Sequence, residues 1–339
     1  MSFRMGYRWF GMRLQSCRPV ASKMNDTEID PEMMVKRPKN LSPRQVWRFS
    51  PRRSYLPMRL RMTKWLKNLL LRCLPAAFVG HIRSWIVGRL IRNFSARVVE
   101  HSYGGRRMRV YLADGLSQAW YDHDWGELPE ITNLRNSRLR PGATVFDIGA
   151  HQGVVAAMLA HEVGPSGLVV AVEGNAHNCQ AAVKNRELNN LPQIEVVQAA
   201  IADKPGKLYF NTGLNGQLDD GSGAGGRVAV DAITLDGLAE RYGFPDVVFL
   251  DVEGAEYLAL SGGHRVLESG ADFFVEVHVG CGLEKLGGSA SEVMSYFPED
   301  LFEILARAEA DSEFRPIGRN SQMTQDRFFI IARRTPAKT

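Results

Sequence analysis

The chain has 339 residues, of which 45% are hydrophobic and 23% charged, a composition typical of a globular protein with an ample core. No run of eighteen uncharged apolar residues occurs, so we predict no membrane-spanning helix. The four cysteines lie far apart and show no metal-ligand spacing, which predicts free thiols in a reducing compartment. They are Cys17, Cys73, Cys179 and Cys281.

The charge is unevenly distributed along the chain. Residues 1–100 carry 21 Lys and Arg against five Asp and Glu, a net charge of +16, whereas residues 101–339 carry 21 against 32, a net charge of −11. We predict that residues 1–60 are a basic arm, either disordered or an organellar targeting segment, and a later start at Met58 or Met62 stays open. A basic arm can contact anionic membrane, and we expect no nucleic acid partner.

Residues 61–95 alternate basic and apolar clusters and predict a basic amphipathic helical segment. Such a helix can lie on an anionic membrane or pack on the domain, and both interpretations stay open. The domain proper is predicted over residues 96–335. It begins with a hairpin over 96–112 that turns at Gly104 and Gly105, followed by a helix over 118–138.

The central stretch of the sequence runs from Val145 to Gly153. An apolar run ends in Asp-x-Gly-x-x-x-Gly and is followed by a helix-like run, which predicts a buried strand, a tight turn and a helix start. A carboxylate in the turn would repel the pyrophosphate of a dinucleotide but suits a cationic ligand such as S-adenosylmethionine. The candidate cofactor-binding residues of this turn are Asp147, Gly149, Ala150, His151 and Gly153.

Glu173 ends a second buried strand, residues 167–173. An acid at this position of a doubly wound sheet can bind both ribose hydroxyls. A helix over 176–189 and a strand over 194–200 follow, and strands that alternate with helices predict a parallel α/β sheet. Asp203, after the third strand, is a candidate adenine neighbour or a turn cap. The glycine-rich residues 211–226 are a mobile lid or a plain surface loop.

A cluster of acids is predicted where two further strands end. Asp251 and Glu253 share one face after the strand 246–251, and Glu276 and His278 share one face at the end of the strand 273–278. If the strands pair, the four side chains meet at one edge, where they can deprotonate a hydroxyl or hold a divalent cation. Helix capping with a hydrogen-bonded histidine is the structural alternative. We predict a helix over 299–309, an edge strand near 314–317 and a final strand over 327–332.

Together these motifs resemble those of the FkbM family of methyltransferases over about residues 98–333. The motifs are Asp147-Ile-Gly-Ala-His-Gln-Gly153, Val172-Glu173, Leu250-Asp-Val-Glu-Gly-Ala-Glu256 and Val275-Glu-Val-His278. The resemblance implies a Rossmann-like doubly wound, mostly parallel sheet with an antiparallel C-terminal strand. It also implies S-adenosylmethionine as methyl donor and O-methylation of a sugar, glycan or natural-product hydroxyl. Asp147, Gly149 and Gly153 would then contact the methionine moiety, and Glu173 the ribose.

Two positions depart from the family pattern. Phe249 stands where members often carry Lys, and Asn175 where they often carry Pro. Under this resemblance Asp251, Glu253, Glu276 and His278 line the reaction site, with His278 or Asp251 as the base. Two other functions stay open: a non-catalytic S-adenosylmethionine-binding protein, and an NAD-dependent oxidoreductase, which the absence of Gly-x-Gly-x-x-Gly disfavours. We expect a cytoplasmic, membrane-peripheral or organellar location.

Overall fold

The computed structural model describes residues 76–211, 213–214, 218, 227–318 and 327–335. All of them belong to one compact unit, Leu74–Thr339. The predicted basic arm and most of the glycine-rich segment 211–226 lie outside the described residues. No helix in the described ranges combines the length and the apolar character that crossing a membrane requires.

The N-terminal part of the unit holds three helices and a hairpin. These are α1 (Ala76–Asn93), β1 (Arg97–Tyr103), β2 (Arg106–Leu112), α2 (Gly115–Tyr121) and α3 (Pro129–Arg135). The predicted hairpin is confirmed, since β1 and β2 pair antiparallel and close from Tyr103 to Arg106. Helix α1 exposes Trp85 and Leu90; a membrane contact through this segment stays a prediction.

The single helix predicted over 118–138 is wrong. The chain instead forms α2 and α3, separated by an irregular stretch. Helix α2 starts at Gly115, three residues before the predicted start at 118, because the Asp114 side chain accepts hydrogen bonds from the backbone N–H groups of Leu116 and Ser117 and caps it. Helix α3 begins anew at Pro129, whose fixed φ suits a first helical position.

The core of the unit is an eight-stranded mixed sheet in the order β12-β11-β13-β10-β9-β3-β4-β5. Its strands are β3 (Thr144–Ile148), β4 (Leu168–Glu173), β5 (Ile194–Gln198), β9 (Val247–Leu250), β10 (Asp272–Val277), β11 (Phe302–Ala308), β12 (Arg315–Pro316) and β13 (Phe328–Arg334). The pairs from β5 through β10 are parallel, and β13 runs antiparallel to β10 and β11. This is the predicted Rossmann-like sheet with an antiparallel C-terminal strand.

Helices cover the sheet, so its strands bury both faces. They are α4 (Val154–Val163), α5 (Ala176–Leu188), α6 (Leu235–Tyr242), α7 (Glu256–Ser261), α8 (His264–Glu268) and α9 (Ala290–Ser295), with a 3-10 turn at Leu283–Leu286. Alternation within β3 shows the two layers: Val145 belongs to one hydrophobic cluster and Phe146 to the other. Near-continuous apolar runs are typical of such doubly covered parallel strands.

A small second sheet has the order β6-β8-β7, formed by β6 (Ala200–Ile201), β7 (Gly206–Asn211) and β8 (Arg227–Ile233). The predicted strand 194–200 therefore divides at Ala199, with its last residue in the small sheet. This sheet brings Phe210 against Gly174, where an added Cβ would meet the phenyl ring at 2.0 Å.

The helix predicted over 299–309 is wrong, because these residues form β11. Residues Phe302 to Ala308 pair in register with the final strand, from Phe302 opposite Arg334 to Ala308 opposite Phe328. The apolar residues of this segment fit the period of a helix as well as that of a strand. It forms a strand because β13 offers a complete set of backbone hydrogen-bonding partners.

Candidate active site

The turn after β3 is built around a glycine that permits a close approach of two strands. The N–H groups of Gly149 and Ala150 both donate to the carbonyl of Val172, at 2.9 and 3.0 Å, which fixes the turn to the end of β4. Gly149 has φ of +89°, and a Cβ there would lie 1.7 Å from the carbonyl oxygen of Asp251. Only glycine fits between these segments, so the turn and the residue after β9 stay in direct contact.

Asp147 lies beneath this turn and is 3% exposed. Its Oδ2 atom has no hydrogen-bond partner among the described residues. Burial, and then the charge of Glu173, raise the pKa of Asp147 to about 7. A buried carboxylate without full pairing is unfavourable by itself, and a cationic ligand nearby would relieve it.

Glu173 ends β4 and holds two neighbouring loops through its carboxylate. Oε2 accepts from the His151 N–H at 2.9 Å, and Oε1 accepts from the Asn175 N–H at 2.7 Å. Burial raises the pKa of Glu173, and these backbone hydrogen bonds oppose the rise. Asn175 in turn caps α5 by accepting from the His177 N–H, which gives this departure from the family pattern a local reason.

A crevice connects the turn to the segment that follows β9. Its lining includes Trp120, Gly149, His151, Glu173, Asp251 and Glu253. The structure thus brings three of the predicted cofactor residues, Gly149, His151 and Glu173, and two of the predicted reaction residues to one crevice. Trp120, Phe210 and Leu218, which also line it, were not predicted from the sequence.

The other candidate cofactor residues lie elsewhere. Gly153 begins α4, and a Cβ there would meet Ala182 of α5 at 2.9 Å, so this glycine permits helix packing. Ala150 is 5% exposed and belongs to the hydrophobic core. Asp203 is exposed on the loop after β6 and is not among the crevice residues.

His151 is held by the N-terminal part of the unit. It has φ of +47°, an uncommon backbone conformation for a residue with a side chain. Its Nδ1 lies 2.9 Å from the hydroxyl of buried Tyr121, and its ring lies 4.9 Å from that of Trp120. Burial lowers the pKa of His151 to about 4, so it is neutral at physiological pH. Helix α2 therefore supplies one wall of the crevice.

The predicted cluster of carboxylates around His278 is present. Strands β9 and β10 pair, and Nε2 of His278 lies 3.4 Å from Glu276 Oε1, 3.7 Å from Asp251 Oδ1 and 3.8 Å from Glu253 Oε2. His278 is 2% exposed. Glu253 has φ of +49°, so the backbone after β9 adopts an unusual conformation at the position that directs this carboxylate.

Two further residues complete the cluster and were not predicted as site residues. Glu256 is fully buried, and its Oε1 accepts from Nδ1 of His278 at 2.7 Å and from the Gly254 N–H at 2.9 Å. Arg327, just before β13, lies 2.8 Å from Glu276 Oε1 and also pairs with Glu309. The motif Asp-Val-Glu-Gly-Ala-Glu contains Glu256 and could have suggested it, whereas only the antiparallel final strand brings Arg327 here.

The protonation of the cluster follows from its charges. Burial alone would lower the pKa of His278, but the hydrogen bond to Glu256 and the neighbouring carboxylates raise it to about 10. Desolvation in the crevice, and then the charge of Glu276, raise the pKa of Asp251 above its usual value. The Asp251 side chain is still 44% exposed, which keeps this rise below that of a fully enclosed carboxyl.

Phe249, the second departure from the family pattern, belongs to the hydrophobic core. It is 5% exposed, and its ring centroid lies 4.2 Å from that of Phe274. Residue 249 therefore contributes packing between β9 and β10. The basic side chain that contacts the cluster is that of Arg327, not a lysine at position 249.

The sheet order and the crevice at the carboxyl ends of its parallel strands define a Rossmann-like α/β protein with a ligand site at the strand ends. Residues 147–304, slightly less than half of the chain, match the family described as Methyltransferase FkbM domain. This match confirms the resemblance that the motifs carried, and it indicates S-adenosylmethionine as the cofactor. No curated protein is significantly similar to the chain.

Solved methyltransferases resemble the structure more distantly. Methyltransferase FkbM from Methylobacillus flagellatus KT is 16% identical over 56% of this chain and 43% of its own, with a TM-score of 0.37. A SAM-dependent O-methyltransferase from Thermotoga maritima is 15% identical over 72% and 79%, with a TM-score of 0.36. An rRNA methylase from Streptococcus thermophilus is 11% identical over 62% and 98%, with a TM-score of 0.39. The strand order above, rather than these superpositions, defines the fold.

The residues of the crevice fit S-adenosylmethionine. The cofactor carries an ammonium and a sulfonium, and the crevice is lined by the carboxylates of Glu173 and Asp251, with the unpartnered oxygen of Asp147 beneath the turn. Gly149 lets the turn and the residue after β9 approach closely, so both line the same crevice. When bound, the cofactor supplies an electrophilic methyl group.

Proposed function

We propose that this methyltransferase methylates a hydroxyl oxygen of a sugar, glycan or natural-product acceptor. The observation that carries the proposal is the position of the His278 cluster at the same crevice as the cofactor turn. Oxygen transfer needs a group that removes the hydroxyl proton as the methyl group arrives, and a cluster of carboxylates supplies one.

We assign Asp251 as the base in this proposal. Its side chain is 44% exposed and lines the crevice, whereas that of His278 is 2% exposed and already shares its Nδ1 proton with Glu256. The raised pKa of Asp251 brings the carboxylate nearer to the acidity that a base needs close to neutral pH. In the reaction the hydroxyl proton passes to Asp251 as the new C–O bond forms and the methyl–sulfur bond breaks.

The other members of the cluster orient Asp251 and the acceptor. His278 faces Asp251, Glu253 and Glu276 with one nitrogen, so its positive charge offsets the repulsion between their carboxylates. Arg327 neutralises Glu276. Glu173, which lines the crevice, binds the ribose of the cofactor in this proposal, and Asp147, buried beneath the turn, favours its cationic part.

Transfer of a labelled methyl group tests the proposal. The full chain is incubated with S-adenosylmethionine labelled in its methyl group and with separate panels of sugars, lipid-linked glycans and polyketide-type alcohols, and with total RNA. We expect label in a hydroxyl-bearing small molecule or glycan, a product heavier by one methyl group, and loss of transfer in Asp251→Asn. Label confined to RNA would contradict the proposed acceptor class, and label on carbon or nitrogen would contradict O-methylation. Cofactor binding without label on any panel would support the non-catalytic alternative.

A further inference from the structure

The cluster around His278 combines one imidazole nitrogen with several carboxylate oxygens, the types of atom that bind metal ions in proteins. The oxygens of Asp251 and Glu276 and a ring nitrogen of His278 all lie within 4.8 Å of one another. Nε2 of His278 is buried and has no hydrogen-bond partner among the described residues. An unpartnered, fully buried imidazole nitrogen that faces carboxylates needs either a proton that donates to them or a cation between them.

The distances leave room for a cation. The three carboxylate oxygens stand 3.4 to 3.8 Å from Nε2, beyond normal hydrogen-bond distance. A cation with metal–ligand bonds of about 2.1 Å holds neighbouring ligand atoms about 3 Å apart and opposite ones about 4.2 Å apart. The distances from Nε2 to these oxygens would therefore contract by less than about 1 Å to bind such an ion, a movement within the range of side-chain torsions.

A second group fixes the imidazole in the orientation that ligation requires. Nδ1 of His278 donates to Glu256 Oε1 at 2.7 Å, so the opposite nitrogen is directed at Asp251 and Glu276. A carboxylate behind a histidine in this way is the usual support of a metal-binding imidazole. Glu256 is itself fixed by the Gly254 N–H at 2.9 Å.

The charges also favour a cation. Four carboxylates, those of Asp251, Glu253, Glu256 and Glu276, face one guanidinium and one imidazole. Even a protonated His278 leaves two negative charges in this partly buried group, and a divalent ion would balance them.

We propose that Asp251, Glu276 and His278 bind a divalent cation of the Mn²⁺ or Mg²⁺ type, with Glu253 beside it and Glu256 as the positioning residue. Carboxylate oxygens prefer these hard ions, and the single imidazole favours Mn²⁺ as the probe. The inference deepens the proposed function, because an ion at this place would bind the acceptor oxygen beside Asp251. Oδ1 of Asp251 faces the ion site, which leaves its other oxygen for the hydroxyl proton.

Titration of Mn²⁺ into the full chain tests the site. The protein is first treated with a chelator and dialysed, and free Mn²⁺ is followed by its electron paramagnetic resonance signal. We expect one bound ion per chain, at least tenfold weaker binding in Asp251→Asn and Glu276→Gln, and a loss of about ten- to a hundredfold in Glu256→Gln. Glu303→Gln is the matched control, since Glu303 pairs with Arg333 on the same sheet but outside the cluster; it should bind as the wild type does.

Thermal unfolding of each variant shows whether it is folded. If Glu276→Gln is unfolded, Asp251→Asn, which lies at the open crevice, is the variant that tests the site. Absence of a bound ion in the wild type, or equal binding by wild type and folded cluster variants, would overturn the inference. Calorimetry with S-adenosylhomocysteine on the same samples separates the two proposals. Binding of Mn²⁺ but not of S-adenosylhomocysteine would support the metal site and contradict the methyltransferase assignment. Binding of S-adenosylhomocysteine but not of Mn²⁺ would overturn the metal site alone.

Discussion

Nδ1 of His278 donates a hydrogen bond of 2.7 Å to Oε1 of Glu256, and both side chains are almost completely buried. The pair joins the residue after β10 to the start of α7, so the orientation of His278 depends on the positions of both β10 and α7. Three carboxylates meet at the opposite ring nitrogen. The reactivity of the whole cluster therefore depends on this one buried contact.

Replacement of Glu256 by Gln keeps the shape but removes the charge behind His278. The hydrogen bond to Glu256 and its charge are the largest of the causes that raise the pKa of His278, ahead of Asp251 and Glu276, so we expect that pKa to fall from about 10. Methyl transfer should fall at least tenfold with little change in cofactor affinity. A histidine titration by NMR measures the pKa, and an unchanged titration would contradict the role given to Glu256.

His278→Gln is expected to spare the cofactor and to slow the reaction. The imidazole orders the carboxylates near Asp251 but is not among the crevice residues. Turnover should fall by up to roughly 10²- to 10⁴-fold, the usual contribution of a general base, because Asp251 loses the imidazole that orients it. Single-turnover kinetics measure the chemical step, and calorimetry measures cofactor binding in parallel. A variant with weak cofactor binding and unchanged chemistry would refute this division of roles.

Cofactor affinity should depend on pH through Asp147. Its pKa is about 7 in the ligand-free protein, and the ionised form attracts a cationic ligand. Affinity is therefore full above pH 7 and falls as the pH decreases through this value, by up to tenfold per unit. Calorimetry from pH 5.5 to 8.5 measures the effect. Asp147→Asn is the control, and it should bind weakly at every pH and lose the dependence between pH 6 and 8.

Gly149→Ala and Gly287→Ala distinguish backbone strain from steric conflict. Both glycines have similar φ, +89° and +86°, but a Cβ meets Asp251 at 1.7 Å only at Gly149, and nothing within 4 Å at Gly287. We expect Gly287→Ala to lower the free energy of unfolding by about 1 kcal/mol through backbone strain. Gly149→Ala should lower it by about 3 kcal/mol or more and abolish cofactor binding. Urea denaturation measures both, and equal effects would show that the close approach is unimportant.

The sequence was informative wherever a residue pattern determines local geometry. Asp147 to Gly153 could only be a tight strand-to-helix turn, and the period of two placed Glu276 and His278 on one face. The pairing of β9 with β10 then brought Asp251 to His278, as their positions after neighbouring strands predicted.

What the sequence could not provide are contacts between distant segments. Arg327 reaches Glu276 only because β13 inserts next to β10. Tyr121 contacts His151 from a helix some 30 positions earlier, and nothing in the sequence around either residue predicts this contact. Residues 302–308 could form a helix by composition, and their pairing with β13 made them a strand. Tertiary partners, rather than local propensity, decided these cases.

Calorimetric titration of the full chain with S-adenosylhomocysteine tests the central claim most directly, with NADH as a parallel ligand and Asp147→Asn as the control variant. We expect micromolar binding of S-adenosylhomocysteine, about −8 kcal/mol, no binding of NADH, and a large loss of affinity in the variant. Binding of NADH alone, or equal affinity in wild type and variant, would contradict the assignment of the crevice to the methyl donor.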